Sequence, residues 1–420
     1  MADKKKILVK KWLTALLAIV LAVSLANYYA NPSEQSVAVG QPIDLSASCP
    51  ASLAEYVTAN NGQVEKQLTE SLNAQDSPGE MSISLKLFGL IPYKQVNVSV
   101  VEEKYLYPGG QSIGVLLRTQ GVLVVGSSPI IAANGKEVNP AEEAGIELGD
   151  IIVNVNEQAV ITDDQLAELV NDCGAKGEEI VLTVNRSQSE KKIKITPVFC
   201  TESQKWRIGL LVRDNAGGVG TLSFIDPQSG SYGALGHMVS ENNTGEMLDI
   251  STGKLIKANI EDIVKSERGT PGEKVGSFVS NDALGSITKN TECGIFGKIS
   301  DWDILGENIV TQPMPVGLSS DIQYGEAEIL TVLEGDRVES FAVEIMKIMP
   351  NGKTGKELVI KVTDERLLEK TGGIVQGMSG SPIIQNGKII GAVTYVFVND
   401  PTKGYGILIE DMLQEAGLMN

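Results

Sequence analysis

Residues 373–394 read Gly-Ile-Val-Gln-Gly-Met-Ser-Gly-Ser-Pro-Ile-Ile-Gln-Asn-Gly-Lys-Ile-Ile-Gly-Ala-Val-Thr. Two apolar runs, Ile383-Ile384 and Ile389-Ile390, flank Asn386-Gly387, the strongest short signal for a two-residue hairpin turn. Ahead of that hairpin, Ser379 stands in Gly377-Met378-Ser379-Gly380-Ser381-Pro382. A serine hydroxyl is a weak nucleophile at neutral pH. It needs a neighbouring base for its proton and backbone N–H groups aimed at the oxyanion that forms on attack. Glycines on both sides allow a turn tight enough to point N–H groups inward, and the N–H groups of Gly377 and Ser379 are the expected donors. The base is expected to be His237, the one histidine of the chain, in Tyr232-Gly233-Ala234-Leu235-Gly236-His237.

The G-x-S-G-[GS]-P pattern resembles the nucleophile loop of chymotrypsin-like serine proteases, and His237 precedes Ser379 in the order those folds use. From Gln204 to Met419, short apolar runs alternate with Gly, Asn and Asp turns, the pattern of one or two β-barrels. Helices are expected to be few, chiefly at Ile260–Lys265, Glu365–Lys370 and Glu410–Gly417. A carboxylate should orient the imidazole. Asp249, Asp282, Asp301, Asp303, Asp321 and Asp364 all lie between His237 and Ser379. Spacing does not choose among them, and Asp364, ahead of Glu365-Arg366-Leu367-Leu368, also reads as a helix N-cap.

Upstream, residues 105–200 form a coherent block. A strand begins at Gly114-Val115-Leu116-Leu117, and Pro140–Ile146 is a short helix with Gly145 as its C-terminal cap. Leu148–Asn156 turns into a strand, Thr162-Asp163 caps a helix running to Asp172, and strands follow at Glu179–Val184 and Lys192–Pro197. Pro140-Ala141-Glu142-Glu143-Ala144-Gly145-Ile146 followed by Glu147-Leu148-Gly149-Asp150-Ile151-Ile152 resembles a PDZ domain. That resemblance implies a peptide-binding loop at Ser112, Ile113, Gly114 and Val115, beside which a partner adds as a strand.

The N-terminus carries Lys4, Lys5, Lys6, Lys10 and Lys11 ahead of an uncharged run from Trp12 to Ala26. At roughly 1.5 Å per residue that run falls slightly short of the ~30 Å hydrocarbon core, a gap that tilt and flanking residues close. The lysines set the N-terminus in the cytoplasm and everything after Ala26 across the membrane, with the segment either cleaved as a signal or kept as an anchor. Residues 28–80 are polar, with turns at Asn31-Pro32, Gln41-Pro42 and Ser77-Pro78 and a helical pattern around Leu53–Leu72, and read as a stalk. Residues 81–104 alternate apolar and polar, as strands do. The expected organisation is therefore 1–27 cytoplasmic tail and membrane anchor or signal, 28–104 stalk and N-terminal region, 105–200 PDZ domain and 201–420 serine peptidase domain, mainly β. A net charge of −18 with no basic patch beyond the N-terminus argues against nucleic acid as a partner. Cys49, Cys173, Cys200 and Cys293 have no metal or redox spacing, and with one histidine no metal or cofactor is expected.

Taken together, the membrane segment, the PDZ-like block, Gly233-Ala234-Leu235-Gly236-His237 and Thr371–Ile383 resemble the SpoIVB peptidases of endospore-forming bacteria, over the whole order of parts. The resemblance implies a catalytic set of His237, Ser379 and Asp364. It also implies synthesis in the forespore, passage into the space between the forespore and mother-cell membranes, and self-cleavage in trans near the N-terminus. Cleavage of a SpoIVFA-like protein in a membrane complex would then trigger intramembrane processing of a late mother-cell sigma factor, with a BofC-like inhibitor. The alternatives are an envelope quality-control protease of the HtrA kind, whose PDZ domains usually follow the protease, and a non-enzymatic PDZ scaffold.

Overall fold

The computed structural model describes residue 12 and residues 33–45, 48–62, 64–70, 72–186, 189–240, 250–278, 283–305, 312–350 and 352–419. The apolar run expected to meet the membrane lies, apart from Trp12, outside them. Among the described residues no helix is long and apolar enough to cross a membrane. The chain divides into two compact units: residues 1–105 with 315–323, and most of the remainder.

The first unit corrects the expected stalk. Strand Ser33–Ala38 runs parallel to Ile91–Val101, and the sheet continues from there to Gly79–Leu87, then Val57–Asn60, then Glu65–Gln67. The inward positions of this sheet, Val57, Ile83, Leu85, Val96 and Val98, are fully buried. The helical spacing around Leu53–Leu72 is misleading. A short 3-10 turn covers Ala51–Tyr56, after which β-branched Val57 and Thr58 enter the sheet. Asn60 and Asn61 then accept bonds from the N–H groups of Gly62 and Val64, making a turn where a helix would have to continue.

In the second unit the barrels and the PDZ-like block are nested. Strand Ser112–Ser127 pairs along residues 112–118 with Asn215–Thr221 on one side, and along 113–119 with Ile250–Lys257 on the other. From Ile250–Val264 the sheet continues through Gly285–Thr291, Gly294–Ile299, Ser231–Ala234 and Leu210–Ile225, and so returns to Ser112–Ser127. Those six strands close a first barrel around Ile113, Val115, Leu117, Leu222, Tyr232, Leu255 and Ile295. The strand over 250–264 takes in the expected helix at Ile260–Lys265. Its β-branched residues pair there with Glu273–Phe278.

The other half of Ser112–Ser127 leaves the barrel and enters the PDZ sheet. Val122 and Leu123 pair with Ile151-Ile152, and Leu123–Ser127 pair with Leu210–Arg213. Strands Ile180–Arg186 and Ser189–Ile195 extend the sheet, and helix Asp163–Ala175, with a capping box at Thr162, covers it. Val122, Val124, Ile152, Leu166, Val170, Ile180 and Leu182 form the core. The PDZ-like block is thus inserted between the first and second strands of the barrel, and a boundary at residue 200 would cut through both.

A second closed barrel is built from Gly325–Val332, Val338–Ile348, Leu358–Val362, Lys403–Leu408, Lys388–Val396 and Pro382–Gln385. Asn386 and Gly387 both have positive φ, as the hairpin turn between the last two requires. Helices Glu365–Thr371 and Ile409–Glu415 fall where the sequence puts them.

Nesting makes a direct prediction. Residues 201–420 expressed alone lack the strand that closes the first barrel and will show no cooperative thermal transition, whereas residues 28–420 will. A sharp transition in the shorter fragment would refute the strand assignment.

Candidate active site

Strand Ser231–Ala234 delivers His237 through two consecutive left-handed residues, Leu235 at φ 70° and Gly236 at φ 69°. The second is glycine for a reason beyond its φ, since a Cβ there would lie 3.0 Å from the Thr394 methyl and 3.1 Å from Ile407. The imidazole stacks on Tyr395, with ring centroids 4.9 Å apart. Its Nδ1 lies 2.8 Å from the carbonyl oxygen of Met238. A carbonyl only accepts, so Nδ1 carries the hydrogen and Nε2 keeps its lone pair, the tautomer a general base needs. Loss of water around the ring holds its pKa below the usual histidine range, against a smaller upward pull from the Met238 carbonyl.

Ser379 sits in a loop whose turns are closed by its own backbone. Met378 N–H donates to Val375 O and Ser381 N–H to Met378 O, while Gly380 N–H reaches Val393 O in the second barrel. Among the described residues, the N–H groups of Gly377 and Ser379 have no hydrogen-bond partner. Gly377 is buried at φ 91°, and Met378 between them is fully buried, so the loop cannot swing to find partners for them. Two unspent donors on either side of one residue match the arrangement an oxyanion requires.

Glycine at 380 lets the segments carrying Ser379 and His237 meet. A Cβ there would fall 2.1 Å from Thr221 O and 2.5 Å from Leu235 N, an impossible approach for any other residue. Thr221, fully buried in the first barrel, donates its N–H to Ser379 O at 3.0 Å and its hydroxyl to Gly377 O at 2.7 Å. Its own carbonyl accepts from Leu235 N–H at 3.2 Å.

His237 and Ser379 line one cleft of about 580 Å³, with Val219, Leu235, Ile374, Val375, Gln376 and Gly377 among its walls. Within it Ser379 Oγ donates to Thr394 O at 2.8 Å. Attack therefore requires the hydroxyl to rotate from that carbonyl toward the imidazole, a rearrangement common between free and substrate-bound sites.

The structure does not bring Asp364 to this cleft. Its carboxylate caps helix Glu365–Thr371, accepting from Arg366 N–H at 2.9 Å and Leu367 N–H at 3.2 Å, and pairs with the Arg366 guanidinium at 3.1 Å. Burial raises its pKa, but those hydrogen bonds outweigh burial and leave it below the usual carboxylate value. Asp301 accepts from Asp303 N–H, Asp321 from Leu318 N–H, and Asp249 and Asp282 lie outside the described residues. The Met238 carbonyl takes the place at Nδ1 that a carboxylate holds in a Ser-His-Asp triad.

The peptide-binding loop expected at Ser112–Val115 is corrected as well. These residues are buried; all four pair with Gly218–Thr221 and Ile113–Val115 pair also with Leu255–Lys257, which leaves no edge there for a partner strand. In the PDZ sheet the corresponding place is taken by Leu210–Val212. Between it and helix Asp163–Ala175 lies a groove of about 640 Å³ lined by Ile130, Leu166, Val170, Ile208, Gly209 and Leu211. Gly209, at φ 77° between Ile208 and Leu210, is the glycine-in-apolar signal that could have marked it in the sequence. Thr221, Tyr395 and the Met238 carbonyl carry no such signal, because their roles arise only from packing.

Residues 204–413 match the family described as SpoIVB peptidase S55, and residues 111–196 match the PDZ domain. A probable CtpA-like serine protease of Staphylococcus epidermidis is 26% identical over 249 residues, 54% of this chain and 47% of that protein. Its counterpart in Staphylococcus aureus is 28% identical over 172 residues, 37% of this chain and 33% of that protein. The chain thus spans about half the length, or less, of these curated relatives. Among solved structures, the active form of the Rv3671c protease from M. tuberculosis aligns over 48% of this chain and 75% of that one. The identity is 13% and the TM-score 0.26, too loose to bear on the fold.

Two outcomes follow from the site. Protonated His237 cannot act as a base, and its pKa is lowered, so activity will persist to lower pH than an ordinary histidine allows. The acid limb of kcat/KM against pH should have its midpoint below about 6.5; a midpoint above that would reveal a carboxylate stabilising the imidazolium. At Asp364, alanine removes a helix cap and should cost ~1 kcal/mol of stability. Asp364→Asn keeps an accepting oxygen and should leave kcat/KM within about threefold, since a partly exposed ion pair is worth little. A fall of about 10⁴, the size seen when a triad carboxylate becomes an amide, would put Asp364 in the catalytic set.

Proposed function

The chain belongs to the SpoIVB peptidase S55 family, whose match covers residues 204–413, and on that premise we propose that it is a serine endopeptidase with Ser379 as nucleophile and His237 as base. The observation that carries this reading is the pair of unpartnered N–H groups at Gly377 and Ser379, two residues that line one cleft with His237. Donors left without a protein partner at a cleft are available to an acceptor on a bound ligand, which a scaffold reading does not call for.

Catalysis then runs as follows. Ser379 Oγ bonds to the scissile carbonyl carbon while Nε2 of His237 takes its proton. The carbonyl oxygen gains the negative charge and receives hydrogen bonds from the two N–H groups. Collapse of the adduct breaks the C–N bond, and the departing amine takes the proton from the imidazolium. Water attacks the acyl group in the same way, restoring Ser379 and releasing the acid. The Met238 carbonyl holds the ring through both halves but offers the cation less stabilisation than a carboxylate would.

The finer reading rests on the family. The enzyme is membrane-anchored, made in the forespore, and acts between the forespore and mother-cell membranes. It cuts itself in trans near its N-terminus and then a SpoIVFA-like protein, so that a late mother-cell sigma factor is processed, under restraint by a BofC-like inhibitor. In this reading the PDZ groove beside Leu210–Val212 binds an extended peptide by strand addition. The nesting of the PDZ block within the peptidase supports this family over an HtrA-like order of domains.

Intact mass of residues 28–420 over time tests the activity. The parent should shed N-terminal residues and be labelled at Ser379 by a fluorophosphonate. Ser379→Ala and His237→Ala should stay whole, with a loss of about 10³ or more in rate. If the parent neither trims nor labels, it is no serine peptidase and the scaffold reading takes over.

A further inference from the structure

Lys274 is 5% exposed, yet its ammonium faces no carboxylate among the described residues. Its Nζ donates to Thr331 Oγ1 at 2.8 Å and reaches Ser112 Oγ at 3.4 Å. Thr331 lies on Gly325–Val332 of the second barrel and Ser112 opens the strand shared with the first, and both are buried. An unpaired ammonium held so far from water is expensive, and desolvation draws its pKa down to about 7. A methionine of similar volume would fill the space more cheaply, so packing alone does not account for a lysine here.

What surrounds the rest of the side chain suggests the use. Lys274 N–H donates to Gln376 O at 2.9 Å, and Gln376 N–H donates to Gly272 O at 2.8 Å. The methylene stem packs close to Gly377: a Cβ on that glycine would lie 3.1, 3.3 and 3.2 Å from Cβ, Cγ and Cδ of Lys274. Thr221 holds the Gly377 carbonyl. Gly377 is therefore fixed both by a threonine hydroxyl on its carbonyl and by a lysine stem packed against it.

We propose that Lys274 is a positioning residue for the oxyanion hole: its main chain and stem fix Gln376 and Gly377, and its ammonium ties that support to both barrels through Thr331 and Ser112. It touches neither substrate nor the reacting atoms, and acts through the aim of the Gly377 N–H. The inference rests on the serine peptidase reading above.

The test compares parent, Lys274→Met, Thr331→Val and Thr331→Ser in the full chain, by turnover of a peptide substrate, fluorophosphonate labelling and thermal melting. Lys274→Met should melt no lower than the parent but lose tenfold or more in kcat, with KM within threefold. Thr331→Val, which keeps shape but loses the hydroxyl, should shift kcat the same way, and Thr331→Ser should restore it. A kcat for Lys274→Met within twofold of the parent overturns the proposal. So does equal kcat for Thr331→Val and Thr331→Ser, which decides the matter if Lys274→Met does not fold. A parent that neither turns over nor labels refutes the serine peptidase reading, and this inference with it.

Discussion

Three hydrogen bonds made by Thr221 hold the loops of Ser379 and His237 in one place. Its N–H and hydroxyl take the carbonyls of Ser379 and Gly377, and its carbonyl takes the N–H of Leu235, two residues before His237. None of these bonds is exposed to water, since Thr221 is fully buried. A buried carbonyl without a donor is costly, so the carbonyls at 377 and 379 are committed to Thr221. With their carbonyls turned that way, the N–H groups of the same two residues remain for an incoming oxyanion.

Thr221 owes its place to the nested architecture. It lies on Leu210–Ile225, a strand whose first residues form the rim of the PDZ groove and whose later residues close the first barrel beside Ser112–Ser127. Two strands thus run unbroken from one domain into the other. The register that places Thr221 opposite Ser112 in the barrel is continuous, across bulges, with the register that places Leu210 opposite Ser127 in the PDZ sheet. A shift of one residue in either strand would turn every side chain to the opposite face. The PDZ fold and the catalytic loop are in this sense built on the same ladder.

Much of this was legible in the sequence. Asn386-Gly387, the glycines around Ser379, Gly236 before His237, and the helices at 140–143, 163–175, 365–371 and 409–415 all rest on local rules of turn, cap and φ, and the chain obeys them. The misreadings are non-local. Gly114-Val115-Leu116 looks the same whether it pairs with a PDZ neighbour or with barrel strands distant in the sequence. Leu53–Leu72 carries a helical period that long-range pairing to Leu85 and Leu87 overrides. Asp364 before Glu365 reads as a cap from sequence alone, and the cap is what the structure shows. Lys274 and the Met238 carbonyl gave no signal because nothing near them in the chain marks them. They matter only through what folds against them.

The most direct measurement is a crystal structure of the chain inhibited by a small organophosphonate. The phosphoryl oxygen should lie about 2.7–3.1 Å from both the Gly377 and Ser379 N–H groups. Ser379 Oγ, now bonded to phosphorus, should have left Thr394 O and stand beside Nε2 of His237. If phosphorus is bonded elsewhere, Ser379 is not the nucleophile; if its oxygen points to solvent while those two N–H groups stay empty, the loop is not an oxyanion hole.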